Sequence, residues 1–497
     1  MNKMKYIIYL FVALFATTSC ENFLDITPEG QSKRDPQLST PQGIEDAMYG
    51  VYSQLRSTTL YGQELHFQTL EVLAHNLHCG GNTVIEALGK FEYENTNVKS
   101  IFEEVWTAMY RNISNVNSVL DAPLVAEANG YPYTIYRGEA LGLRAFMHFD
   151  LVRLFAEQYT QNPNAAGIPY ATEFSLKTPE FESLKQNFEH ILADLHEADS
   201  LLADEENYEG EGSYMLDRQI HFNKYAVKAT LARVYLTMGD KVNAAKYAKE
   251  VIDAKKYYLK EMTEVRNDLA GVLSKKECIF GVYYAEFFTQ VYEKLHKTTT
   301  FYSLNLRQDF DEIYNRDHIG NDYRWSSYFI TNHDQVYRLS KLTDIYELDN
   351  NVASRPTDLI LGINMIRIPE MYYIMAETLL DEDAEAALAY YNEVRTHRGL
   401  EPLATEVTDE MTGELVKRPL TLQHINEERY KEYFGEGKVP FRAGAKTGTA
   451  QFAQGSISYG DGYYMGSMVA FFPIENPRYT ILTTIFKRRG TGTYYGA

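Results

Sequence analysis

Apolar residues recur at three- and four-residue spacing through most of the first half of the chain, the mark of amphipathic helices. Helix signals dominate from Ile44 onward. One stripe runs through Trp106, Tyr110, Ile113, Asn117 and Leu120, and a second through Ala140, Leu143, Phe146, Met147, Asp150, Leu151 and Leu154. Residues 162–179 break into Asn, Gly and Pro and predict a loop. The pattern predicts another helix over 184–202, and the acidic, Gly-containing stretch 204–212 reads as an exposed linker.

In NKYAVKATLARVYLTMGDKVNAAKYAKEVID, Ala229, Ala232 and Tyr235 precede Gly239, and Ala244, Ala245, Ala248 and Val251 follow it. Small residues at these offsets let two antiparallel helices approach closely, with Gly at the turn. That is the logic of the tetratricopeptide repeat. A second such pair spans 367–398, with Tyr372, Met375, Ala376 and Leu379 before an acidic turn and Ala386, Ala387, Tyr390 and Val394 after it. Together with the helix pairs near 106–120 and 140–154, these units predict a mainly α protein. Its architecture is a tetratricopeptide-repeat-like, right-handed α-superhelix. Between the pairs, over 257–366, helical periodicity is poor. CIFGVYY reads as a strand, and aromatics crowd the rest, among them Tyr292, Tyr323, Trp325, Tyr328 and Tyr337. Long irregular segments carried on a rigid scaffold are where binding residues usually sit.

Charge narrows the choice of ligand. The chain carries 48 Lys+Arg against 68 Asp+Glu, a formal charge of −20, which argues against a binder of nucleic acid that relies on neutralising phosphates. The 40 tyrosines give many flat apolar faces tipped with a hydroxyl, suited to contacts with sugars or proteins as well as to half-buried packing. Cys79 and Cys278 lack metal-ligand spacing and are too few for a disulfide framework, so no metal and no cofactor is expected. At the N-terminus, Lys3 and Lys5 precede an apolar run over residues 6–16 and then Thr17-Thr18-Ser19-Cys20. The run is too short to span a bilayer and fits a secretory signal peptide over 1–19. A cysteine directly after small residues looks like a lipobox, so Cys20 is the expected site of lipidation.

Several motifs then carry a resemblance. Cys20-Glu21-Asn22-Phe23-Leu24-Asp25 with Pro28 resembles the mature start of RagB/SusD-family outer-membrane lipoproteins. RGEALGLRAFMHFDLVRLFA, NKYAVKATLARVYLTMGD, RIPEMYYIMAE, YYNEVRTHRGL and INEERYKEYFGEGK are similar to that family's motifs and fall in its order, over about 20–438. The resemblance implies a cell-surface glycan-binding lipoprotein of the outer membrane. Such a protein captures oligosaccharides and hands them to a TonB-dependent transporter. Sugars present apolar C–H faces and rings of hydroxyls, so a binder needs aromatic platforms ringed by amides and charged groups. Tyr323, Trp325, Tyr328, Asn76 and Asn82 are the candidates, with the loop over 73–93 next in line.

After Lys438 the family pattern stops. FRAGAKTGTAQFAQG and VAFFPIENPRYTILTTIFKRRGTGTYYGA resemble the C-terminal part of a penicillin-binding transpeptidase domain, with Lys446-Thr447-Gly448-Thr449 as its third motif. A transpeptidase needs a Ser nucleophile with Lys three residues on, and the chain holds no Ser-x-x-Lys, so residues 439–497 are expected to be a non-catalytic fragment. They are either a joined foreign segment or a divergent terminus. The whole is expected not to be an enzyme. The rivals are a repeat scaffold that binds partner proteins, which the helix pairs alone equally support, and a glycoside hydrolase. The hydrolase lacks a definable carboxylate pair.

Overall fold

A computed structural model describes residues 34–175, 177, 179–261, 264, 272–274, 276–296, 304–306, 314, 322–331, 337–343, 352–354, 360–408 and 415–438, together with strands at 444–451, 463–472 and 479–488. Residues 1–19, expected to be a signal peptide, and Cys20 lie outside these residues. Antiparallel helices follow one another along the chain. Helix α1 (Pro41–Leu55) starts at Thr40, whose hydroxyl accepts from Gly43 N, with Pro at the first helical position. A short helix, α2 (Thr83–Gly89), leads into α3 (Thr96–Leu120), which Asn95 caps through the amides of Asn97 and Val98. Then come α4 (Tyr133–Phe155) and α5 (Leu184–Leu201), the latter opened by a Ser183/Gln186 capping box. The two repeat-like units form as the spacing predicts. They are α6 (Lys224–Met238) with α7 (Lys241–Asp253), turned by Gly239 at φ +81°, and a later pair joined by an acidic turn. The result is the mainly α, repeat-like superhelix expected from the sequence.

Helix α4 shows how the family-like motifs earn their positions. Almost every side chain from Ile135 to Val152 is buried, polar ones included. Burying a charge is costly unless it is paired and hydrogen-bonded. Glu139, fully buried, accepts from the hydroxyls of Tyr52 and Tyr214 at 2.6 Å each and from Arg218 Nη2 at 2.5 Å. Arg144 grips Asp194 through two bonds of 2.7 Å. His148 donates from Nδ1 to the Arg144 carbonyl at 2.9 Å and accepts the Ala171 amide on Nε2 at 3.1 Å. Gly138 and Gly142 let neighbours approach: a Cβ on Gly142 would lie 2.5 Å from the Phe222 ring. The stretch 204–212 is mostly exposed, as expected, with one exception. Its Glu205 is buried, bonded to Arg218 Nε at 2.8 Å and to the Lys224 amide.

The irregular middle of the chain is held by short strands. They are β1 (Leu77–His78), β2 (Ala166–Pro169), β3 (Phe181–Ser183), β4 (Val272–Leu273), β5 (Cys278–Tyr283), β6 (Asn305–Leu306), β7 (Phe329–Thr331), β8 (Tyr337–Leu339) and β9 (Ile360–Arg367). All pairings are antiparallel: β4-β9-β5, β2-β3, β7-β8 and, across more than two hundred residues of sequence, β1-β6 through Leu77↔Leu306. The short helix α8 (Tyr323–Tyr328) feeds β7, and β9 feeds the second repeat-like pair, α9 (Pro369–Leu379) and α10 (Ala384–His397).

Helix α11 (Leu422–Tyr433) carries the last family-like motif into the interior. Glu432 there is fully buried and meets Arg367 Nη1 at 2.7 Å, Arg398 Nε at 2.9 Å and Arg324 Nη1 at 3.5 Å. Glu428 meets Arg324 Nη2 at 2.7 Å and Arg395 Nη1 at 2.8 Å. Burial alone would push both carboxyls up, but the arginines win, holding Glu428 at about 2 and Glu432 lower. Residues from three family-like motifs, together with Arg324, thus close one buried ionic cluster. Beyond it, residues 444–451, 463–472 and 479–488 form an antiparallel three-stranded meander in which Lys446 faces Val469 in register.

Candidate functional site

The loop between Leu73 and α3 is fixed from below and decorated above. Glu71, buried, accepts from Asn76 Nδ2 at 2.7 Å and from the Gly437 amide at 2.7 Å, and Tyr430 OH donates to Asn76 Oδ1. Asn82 caps α2, its Oδ1 accepting from the amides of Val84 and Ile85. On this base stand rings that point outward. Phe91 and Tyr93 are 44% and 50% exposed, and the exposed His75 ring stacks on Phe91 at 5.3 Å and 26°. His75 and Phe91 both adopt left-handed backbone, φ +60° and +59°, a conformation that bulky residues rarely hold unless the surroundings impose it. His75 Nε2 donates to the Gly89 carbonyl at 2.8 Å, which fixes the imidazole as part of the platform. Glu92, Glu94 and Asn97, near Phe91 and Tyr93 in sequence, are also exposed.

Helix α8 presents a different picture. Asp322 caps it and pairs with the fully buried Arg324, whose Nε and Nη2 lie 2.9 and 2.8 Å from the Asp322 carboxylate. Trp325 is half-buried, its ring 5.9 Å from Tyr314, 5.4 Å from Phe329 and 5.3 Å from Tyr337. Tyr323 is half-buried and bonds through its amide to the Arg398 carbonyl. Tyr328 is interior: the Lys341 ammonium sits 4.4 Å over its ring, and burial holds its phenol well above the ordinary value. Burial also lowers Lys341 to about 8, and that ammonium donates to the carbonyls of Glu432 and Phe434 and pairs with Glu436, which ties down the end of α11.

A line of contacts links two of the sequence candidates, Asn76 and Trp325, and the structure divides the candidates' roles. From Asn76 a line of contacts runs through Tyr430 to Phe434 at 5.9 Å, on to Phe329 at 5.6 Å, and then to Trp325. Asn76 and Tyr328 are interior, with polar atoms engaged inside the protein; the Asn82 carbonyl oxygen is a cap; Tyr323 and Trp325 keep part of their surface in solvent. Phe91, Tyr93 and His75 were not singled out from the sequence. The available signal was the run KFEYENTN, aromatics alternating with acids and amides just ahead of a helix cap. Among the described residues no three His, Cys, Asp or Glu side chains are grouped to hold a metal. Cys79 and Cys278 are both buried, and burial raises Cys278 to about 12. No helix among the described residues is long and apolar enough to cross a membrane.

Residues 22–236 match a SusD-like family model described as "Starch-binding associating with outer membrane". The chain is 26% identical over 260 residues to SusD-like protein P2 of Formosa agariphila, covering 50% of this chain and 46% of that one. It is 27% identical over 124 residues to SusD-like protein P25 of the same organism, covering 23% of each. The matches thus span less than half the length of these curated relatives. Among solved structures, a SusD superfamily protein from Bacteroides thetaiotaomicron overlays with a TM-score of 0.62 at 23% identity, over 80% of this chain and 87% of that one. A putative sugar binding protein from Bacteroides vulgatus gives 0.62 at 20% identity, over 80% and 84%. Surface glycan-binding protein A from Bacteroides uniformis gives 0.58 at 19%, over 80% and 86%. The mainly α fold is shared with these solved structures.

Proposed function

We propose that this protein captures oligosaccharides at the outer membrane and passes them to a TonB-dependent transporter, anchored by a lipid on Cys20 and without catalysing a reaction on the sugar. The observation that carries the reading is the His75–Phe91–Tyr93 platform. Three exposed rings, two of them on strained backbone, with the exposed Glu92, Glu94 and Asn97 close by in sequence, suit stacking against the C–H faces of a sugar and bonding to its hydroxyls. The partly exposed Tyr323 and Trp325 are secondary contacts in this reading. Asn76 and Tyr328 support the site from inside, and Asn82 shapes the loop. The names of the related proteins, sugar-binding and surface glycan-binding among them, favour the same ligand class.

The test is a glycan array followed by calorimetry on the best ligand. Phe91→Ala and Tyr93→Ala should each weaken binding, and Trp325→Ala should weaken it less. A protein with all three replaced that binds as tightly as the unaltered one moves the site elsewhere. Cys20→Ala should release the protein from the membrane fraction.

In the same reading residues 439–497 form a non-catalytic fragment resembling a transpeptidase and take no part in sugar binding. Without Ser-x-x-Lys, Lys446 has no nucleophile to activate. Fluorescent penicillin should leave no covalent label.

A further inference from the structure

We infer that the platform does not end at Tyr93 but continues as an aromatic track along α3, and that the track takes further units of a linear oligosaccharide, so that the protein prefers long chains to short ones. The inference rests on the proposed sugar binding. Rings follow one another without a gap. Phe91 meets Tyr93 at 6.3 Å, Tyr93 meets Phe102 at 5.7 Å, Phe102 meets Phe155 at 6.5 Å, Phe155 meets Trp106 at 5.0 Å, and Trp106 meets Phe181 at 6.5 Å with the planes 18° apart. Phe102 and Trp106 are one helical turn apart on α3, which sets their rings in line along the helix axis.

The two ends of this series are open and the middle is half-covered. Phe181 is 69% exposed, Tyr93 50% and Phe91 44%, while Phe102, Trp106 and Phe155 are intermediate. A single exposed ring calls for no explanation, but a continuous series ending in an almost bare phenylalanine marks a binding surface. Packing does not account for Phe181. It sits on a three-residue strand, opposite Pro169 in the register, and an apolar ring left in water there brings the fold little. A succession of rings rewards a ligand with a succession of flat apolar faces, which is what a linear sugar chain offers and a single sugar does not. Continuity with the His75–Phe91 stack places one end of such a chain on the proposed site and runs the rest towards β3.

Phe181 is exposed enough for its replacement to spare the fold, so it carries the test. Calorimetry on the full chain would use length-graded malto-, cello- and xylo-oligosaccharides as probes. Affinity for the series that binds should rise from disaccharide to heptasaccharide. Phe181→Ala should weaken the heptasaccharide roughly 2- to 10-fold, the scale of about one lost ring contact, and leave the disaccharide unchanged. Phe181→Tyr should restore it, and Phe91→Ala should weaken both lengths. Affinity that does not depend on length, or a Phe181→Ala variant that holds the heptasaccharide normally, overturns the track while leaving the platform. A Phe181→Ala variant normal for sugars but no longer co-purifying with a partner protein overturns it in favour of a protein-docking face. Binding of no sugar by the unaltered protein contradicts both the track and the proposed function.

Discussion

Helix α4 and the loop over 74–93 use the same residue types for opposite ends. In α4 the polar residues are interior, and each is matched: Glu139 by two tyrosines and Arg218, Arg144 by Asp194, His148 by two backbone groups. In the loop the interior polar group, Asn76, is likewise matched, but the aromatics stand outside with no comparable cover, on backbone that is strained at two positions. The difference teaches that the family-like motifs are chiefly a frame. Their arginines, glutamates and glycines close the core, and the proposed recognition falls to a segment that matches no motif.

The largest effect should come from breaking a match inside the frame. Arg218→Ala strands Glu139 and Glu205 without their cation, and loss of one partner of a buried pair costs about 3–5 kcal/mol. Chemical denaturation should show that loss, and a change below about 1 kcal/mol would mean that the matched interior is not what holds α4. Gly142→Ala should cost about 1–3 kcal/mol, because the added Cβ meets the Phe222 ring and the Val227 side chain.

Acid should act on the frame in the same direction. Burial lowers His148 to about 3 from an ordinary 6.5, so below pH 6.5 the unfolded chain takes up a proton that the folded chain refuses. Stability is complete above 6.5 and falls as pH drops towards 3. Burial would raise Glu139, but Arg218 holds it at about 2 against an ordinary 4.5, which adds a further loss below 4.5. Melting temperatures taken across this range should decline steadily, and a flat profile contradicts the account. The smallest effect on stability belongs to the loop: Phe91→Ala and Tyr93→Ala should each change it by no more than about 0.5 kcal/mol while weakening sugar binding.

How much of this was legible in the sequence follows from the same contrast. The helices α3 to α7 and the second repeat-like pair were readable, because three- and four-residue spacing and Gly at a turn are local signals. Partners were not. Nothing local says that Glu205, in an acidic Gly-rich stretch, turns inward to Arg218, or that Leu77 pairs with Leu306. For the site, aromatic crowding pointed to Tyr323, Trp325 and Tyr328, yet composition cannot tell a stacked interior from an open face. Arg324 between them is fully buried, and its pairing with Asp322 and Glu428 draws α8 inward. The platform residues carried a weaker signal and only the fold shows their exposure.

The most direct test measures stability and sugar affinity side by side in two variants, Arg218→Ala in the frame and the paired Phe91→Ala/Tyr93→Ala in the loop, at a temperature where both are folded. The account predicts that the frame variant loses stability and keeps its affinity, and that the loop variant keeps its stability and loses its affinity. A loop variant that binds normally, or a folded frame variant that has lost its sugar, would contradict it.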